Sequence, residues 1–207
     1  MSTETSTAKK SNEIIATNVG KTFGAGPFAK EVIKDCSFTI ESGKLTVMIG
    51  PSGCGKSSLI QLIAGFDQPT SGQITIGGEP IIGPGKDRLV LFQESALFPW
   101  MTTWDNVMYG PRARGEDADA SEAQAEFLLK KVGLEAFRDK YPAQLSGGMQ
   151  RRAELARAMI NKPEVMILDE PFRGLDHMSK ELMWEYYANL YEEDRNTNFF
   201  VTTDIDE

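Results

Sequence analysis

The sequence predicts an α/β protein: a mainly parallel sheet covered on both faces, joined by an antiparallel β layer and an inserted helical subdomain. Three observations carry this. Continuous apolar runs of strand length, "KLTVMIG", "RLVLFQ", "EVMILDEP" and "FFVTT", lack the alternation of a half-exposed strand and read as buried strands. Stretches with helical spacing alternate with them, as in a sheet packed by helices. A cluster of Ser, Gly and Pro breaks the first run and passes directly into a helix.

In chain order, residues 1–12 are polar, rich in Ser, Thr and Lys, and are expected to be a disordered tail before one domain over residues 13–207. "EIIATNV" and "EVIKDCSFTI", separated by a loop with Gly24, Gly26 and Pro27, read as the antiparallel layer. "KLTVMIG" follows as a strand, then a Gly-rich loop, then the helix "KSSLIQLIAG" ending at Gly65. "GQITIGG" returns to β and "RLVLFQ" is a further strand. From about residue 94 to 160 the pattern is helical: "SEAQAEFLLKKV" has a cap candidate in Ser121, and "GGMQRRAELARAMI" is amphipathic. The strand "EVMILDEP", the helix "SKELMWEYYANLYEE" and the strand leading to Thr203 complete the chain.

Composition narrows the function. With 22 basic and 30 acidic residues the net charge is −8, which supplies no general footprint for nucleic acid or anionic lipid. Cys36 and Cys54 stand in unrelated contexts without metal-ligand spacing, so neither a disulfide framework nor a zinc site is expected. No run reaches the about 18 apolar residues of a membrane span, and "MSTETSTAKKSNE" has no apolar leader region. A cytoplasmic protein is expected, with any membrane role exercised through a partner.

Two motifs carry chemistry. "GPSGCGKS", residues Gly50, Pro51, Ser52, Gly53, Cys54, Gly55, Lys56 and Ser57, fits G-x-x-x-x-G-K-[ST] at a strand-to-helix junction, with Ser58 next in the helix. Its glycines let backbone N–H groups face a phosphate. The helix dipole and Lys56 add positive potential, and the Ser57 hydroxyl can ligate Mg²⁺. "VMILDE" sets Asp169 and Glu170 at the carboxyl end of a buried strand, where open α/β sheets place ligands. Asp169 can support the metal and Glu170 can polarise an attacking water. "LSGGMQRR" places Ser146, Gly147 and Gly148 at a helix start, which is equally consistent with an anion site and with a plain N-cap followed by solvated arginines.

Taken together, "GPSGCGKSS", Gln93 in "LFQE", "LSGGMQ", "VMILDEP" and "GLD", in this order, resemble the ATP-binding cassette (ABC) ATPases, from roughly Ile14 to the C-terminus. The resemblance implies a P-loop nucleotide-binding core using ATP and Mg²⁺. It also implies a head-to-tail pair of cassettes, of one chain or two, in which Ser146, Gly147, Gly148 and Asp176 face the partner's nucleotide. Gln93 is implied as a sensor of Mg²⁺ and the attacking water, and Phe23 as the ring stacked on adenine where the family more often has tyrosine. "YPAQLSGG" and "FQESALFPWMTTWDNV" are similar to importer subunits of the nitrate, sulfonate and taurine group. That likeness implies transmembrane permease partners received near Phe98, Pro99 and Trp100, an indirect link to a solute-binding protein, and a location on the inner face of the membrane.

The chain departs from the family at three points. Thr203 occupies the place of the switch histidine, while the single histidine, His177, is expected on the surface at a helix start. Arg173 stands in "FRGLD" where relatives more often have a small residue, and is expected to be solvated. Relatives also continue with at least another helix and strand, so the end is expected to be truncated relative to the family. Slow hydrolysis at Thr203, a nucleotide-gated subunit with weak activity, and a non-transport ABC protein all remain open at this stage.

Overall fold

The computed structural model describes residues 11–204. Most of the expected polar tail therefore lies outside the described residues, as do the last three residues.

Two four-stranded sheets organise the described residues. The antiparallel sheet has the order β2-β1-β4-β5, built from β1 (Ile14–Phe23), β2 (Lys30–Ile40), β4 (Ser71–Ile76) and β5 (Glu79–Pro80). The parallel sheet has the order β3-β8-β7-β6, from β3 (Leu45–Ile49), β6 (Arg88–Leu91), β7 (Val165–Asp169) and β8 (Thr197–Thr202). Among the described residues five α-helices accompany them: α1 (Lys56–Ala64), α2 (Thr103–Arg114), α3 (Ala118–Lys131), α4 (Gly147–Met159) and α5 (His177–Glu193).

The parallel register fixes which ends meet. Ile49 pairs with Thr202 and Asp169 with Val201, so the exits of β3, β7 and β8 lie side by side at the carboxyl edge. Central position explains the composition: β7 and β8 are flanked on both sides and are buried along nearly their whole length. The reading of "KLTVMIG" and "RLVLFQ" as buried strands is corrected. Both are edge strands among the described residues, and Val47 and Ile49 of β3 are 47% and 53% exposed. Apolar runs report strand identity here but not centrality.

Two cores result. Ile14, Val19, Ile40 and Ile74 of the antiparallel sheet pack with Leu59, Ile60 and Ile63 of α1 and with Ile167, Phe199 and Val201 of the parallel sheet. The second core joins Val107, Leu128, Leu129 and Leu155 of α2 to α4 to Leu168, Phe172 and Phe200. The helical segment thus shares a core with the sheet face that carries Met166, Leu168 and Phe200.

Caps explain the helix starts. The expectation that Ser121 caps a helix is corrected: Asp117 caps α3, its side chain accepting from Ala120 N at 2.8 Å, while Ser121 is buried one turn inside. Thr102 caps α2, accepting from Asp105 N at 3.1 Å and donating to Asp105 Oδ2 at 2.8 Å. Ser146 and Asp176 cap α4 and α5. His177 opens α5 exposed, beside Glu181 at 3.4 Å.

Candidate active site

The loop from β3 to α1 turns on glycine. Gly55 has φ 101°, in the left-handed region, and a Cβ there would lie 3.1 Å from the Val32 carbonyl. The turn delivers Lys56 to the first position of α1, buried, where its Nζ donates to the carbonyls of Gly50 at 2.7 Å and Pro51 at 2.9 Å. Cys54 is an exposed free thiol at the loop tip, and Cys36 is also free.

Ser52, Gly53, Gly55, Lys56, Ser57 and Ser58 share one cleft of about 260 Å³ with Gln93, Glu170 and Arg173. The three outside residues come from separate places in the chain, after β6 and after β7, so tertiary folding alone assembles them with the loop. Glu170 is 6% exposed and has φ 44°, an uncommon backbone for a residue with a side chain. Its N–H donates to Val201 O at 2.8 Å, locking the turn after β7 to β8. Its Oε1 lies 3.9 Å from Lys56 Nζ, and its Oε2 accepts from Arg173 Nη1 at 2.7 Å. The expectation of a solvated Arg173 is therefore corrected: the side chain is half exposed, but its guanidinium is paired with the buried carboxylate.

Asp169 ends β7 partly buried. Burial holds its carboxyl above the ordinary value, the neighbouring Glu170 adds to this, and Lys56 opposes it. Ser57, Gln93 and Asp169 offer hydroxyl, amide and carboxylate oxygens, the hard donors Mg²⁺ takes, and two of the three line the cleft. That donor set fits the ion; no cluster of three His, Cys, Asp or Glu with metal-binding geometry competes with it among the described residues.

The remaining expected residues fall elsewhere. Ser146 and Gly147 are exposed at the start of α4, and a Cβ on Gly148 would stand 3.6 Å from Ser179 Oγ. Ser179 is the residue capped by Asp176, whose carboxyl it holds below the ordinary range through its hydroxyl and backbone N–H. The starts of α4 and α5 therefore form one exposed edge, apart from the phosphate-loop cleft. Phe23, at the end of β1, is 41% exposed with Lys21 Nζ 5.0 Å from its ring centroid, so it is not a core aromatic. Thr203 lies in the bend just past β8, outside the strand that was expected to carry it, and does not line the cleft.

Sequence reasoning missed how Gln93 is held. The reading of the α4 arginines as a solvated face is corrected for Arg151, which is buried, donates to Phe92 O at 2.8 Å and pairs with Glu154 at 2.7 Å. Glu154 in turn accepts from Ala96 N at 2.5 Å. This pair grips the loop on both sides of Gln93. A charged pair three residues apart on a helix was the only signal of it in the sequence.

A second, larger groove of about 480 Å³ runs beside β6, lined by Leu91, Phe98, Tyr109 and Arg157 among others. Asn106 organises its rim, accepting from Phe98 N and donating to the carbonyls of Phe98, Met101 and Thr102. Trp100, 69% exposed, lies outside this groove but stacks on Phe98 and lines a neighbouring hollow with Met101 and Tyr109.

Comparison with known proteins gives a consistent result. The family model described as ABC transporter matches residues 33–173, more than half of the chain. The nitrate import ATP-binding protein NrtD of Synechococcus elongatus is 44% identical over 91% of this chain and 70% of its own length. The taurine import ATP-binding protein TauB of Pelagibacter ubique is 40% identical over 95% of this chain and 71% of its own length. Across such curated relatives the chain spans 62–72% of their length. Among solved structures, the dimeric bacterial ABC transporter cassette MJ0796 superposes with a TM-score of 0.81 at 31% identity, covering 93% of this chain and 89% of that one. A post-hydrolysis state of the same cassette bound to ADP and Pi gives 0.79 at 30% identity. With the phosphate loop, the carboxylates at the end of β7 and the element opening α4 all in their structural contexts, the chain belongs to the ABC transporter family as an ATP-binding cassette.

Proposed function

We propose that this chain is the ATP-binding and ATP-hydrolysing subunit of an ABC importer for a small solute of the nitrate, sulfonate or taurine kind. The observation that carries the reading is the single cleft holding the phosphate loop, Lys56, Gln93 and Glu170. The loop's N–H groups and the N-terminus of α1 bind the phosphates, and Lys56 exchanges its carbonyl partners for phosphate oxygens. Ser57, Gln93 and Asp169 would hold Mg²⁺, which supplies charge neutralisation at the phosphates. Glu170 accepts a hydrogen bond from the attacking water and orients it toward the terminal phosphate.

The reading extends to partners. The exposed edge formed by Ser146, Gly147, Gly148 and Asp176 supports a second cassette that completes each nucleotide site, and the exposed Phe23 supports a stacked adenine. The groove lined by Phe98, with the exposed Trp100 stacked on that ring beside it, supports a docked permease segment, exposed aromatics being common interface anchors. Attachment to the inner face through that permease and indirect contact with a solute-binding protein complete this reading; no described helix is long and apolar enough to cross a membrane. The net charge of −8 weighs against a nucleic-acid partner. Thr203, set in a bend outside the cleft, favours the second reading of a subunit with weak hydrolysis. Steady-state hydrolysis of Mg·ATP with Glu170→Gln as the blank tests the assignment: turnover abolished in the variant is expected, and nucleotide binding without Glu170-dependent turnover refutes the motor.

A further inference from the structure

We propose that Arg173 is a positioning residue for ATP hydrolysis, fixing the Glu170 carboxylate in the orientation that orders the attacking water; this rests on the ATPase reading above. Glu170 has little freedom elsewhere. Its backbone sits at φ 44° and is tied to β8 through Val201 O, so the orientation of its carboxylate is set by side-chain torsions alone. A buried carboxylate needs donors to stay in one place. Among the described residues, Arg173 makes the one side-chain hydrogen bond to Glu170, at 2.7 Å, whereas Lys56 at 3.9 Å contributes charge and directs its protons to the loop carbonyls.

The two carboxylate oxygens are thereby distinguished. Oε2 is held by the guanidinium, and Oε1 faces Lys56 and the phosphate loop. The holding group is itself anchored by the turn that follows β7: Arg173 N donates to Glu170 O at 3.1 Å, and Gly174 at φ 81° lets the chain reverse immediately afterwards. Carboxylate and guanidinium are therefore carried on one rigid turn, and both line the cleft. The guanidinium is half exposed, so the consequence of the pair lies in the geometry of the buried carboxylate rather than in stability.

The test measures kcat and KM for Mg·ATP in the parent, Arg173→Ala and Arg173→Lys, each also in a Glu170→Gln background, together with the Kd of a fluorescent N-methylanthraniloyl ATP. Misplacing a catalytic group by about 1 Å costs up to about 100-fold, so Arg173→Ala is expected to lower kcat about 10- to 100-fold. KM and Kd should stay near the parent values, Arg173→Lys should recover part of kcat, and Arg173→Ala should have no further effect once Glu170 is Gln. Unchanged or faster turnover in Arg173→Ala overturns the proposal, as does a rise in KM and Kd at constant kcat, which would make Arg173 a nucleotide contact. A parent chain without Glu170-dependent turnover removes the ATPase reading and this role together; parent turnover indifferent to Arg173 removes this role alone.

Discussion

Arg151 and Glu154, three residues apart on α4, form a buried ion pair at 2.7 Å that also holds the loop carrying Gln93, Arg151 Nη1 donating to Phe92 O as well and Glu154 Oε1 accepting from Ala96 N. The helix that opens with the LSGG element is thus joined by four polar groups to the loop that enters the phosphate cleft. Both side chains lie away from water, so each charge depends on the other.

Glu154→Ala removes the partner of a buried guanidinium and leaves Ala96 N–H unsatisfied. The expected loss is about 3–5 kcal/mol of unfolding free energy, read from the midpoint of urea denaturation. A loss under about 1 kcal/mol would place the pair among solvated surface contacts.

Lys56→Ala removes the buried ammonium that bridges the loop carbonyls and stands beside Glu170. Hydrogen bonds to charged groups contribute about 1.5–3 kcal/mol, so ATP affinity should fall about 10- to 100-fold in equilibrium fluorescence titration. An unaltered Kd would show that the loop N–H groups alone carry the phosphates.

The fold was legible wherever one local signal sufficed. The apolar run of β7, the Gly-rich turn before α1 and the cap at Ser146 each announce an element by themselves. Edge position was not legible, because β3 and β6 carry the same apolar character as the central strands and only the pairing order distinguishes them. At the site, the loop and the carboxylates were legible as motifs. The pairing of Arg173 with Glu170 was not, since it depends on how tightly the chain turns after β7. The grip of Arg151 and Glu154 on the Gln93 loop joins residues 58 and 59 positions apart, which no local pattern reports.

Asp67 accepts from the nearly buried Lys21 at 2.6 Å, tying β1 to the turn after α1. Lys21 first, and then the backbone N–H of Gln68, hold its carboxyl below the ordinary value of 3.8. A depressed folded-state value means that the unfolded chain binds more protons. The contribution is thus present above the ordinary value and is lost as pH falls below it. Asp67→Asn should therefore flatten the decline of stability below about pH 4, measured by urea midpoints across an acid series. A slope identical to the parent's would assign the acid limb to other carboxylates, of which Asp105, held down by Arg112 and Thr102, is one.

Trp100 presents a large apolar surface on a rim braced by Asn106. Truncating a side chain outside the cores should leave the urea midpoint within about 0.5 kcal/mol of the parent. If the rim receives a permease segment, Trp100→Ala should instead lower the yield of cassette co-purified with a coexpressed permease, as loss of an aromatic anchor does. Full retention of the complex would move the docking surface elsewhere.

Thr203 follows β8 at the point where Gly50 N donates to Thr202 O at 3.3 Å and Glu170 N donates to Val201 O. The bend is therefore flanked by the start of the phosphate loop on one side and by the backbone of Glu170 on the other, although the short threonine side chain does not line the cleft. An imidazole at the same position reaches further and brings an N–H donor toward the transferred phosphate. One preorganised donor in such a site is worth about 10²–10³ in rate, an upper bound here because, on the proposed reading, the helix dipole and Lys56 also serve the phosphates. Thr203→His should accordingly raise kcat for Mg·ATP with little change in KM, since the added contact forms with charge that develops during transfer. Equal or slower turnover would show that hydrolysis is limited by another step, with cassette pairing the first to measure.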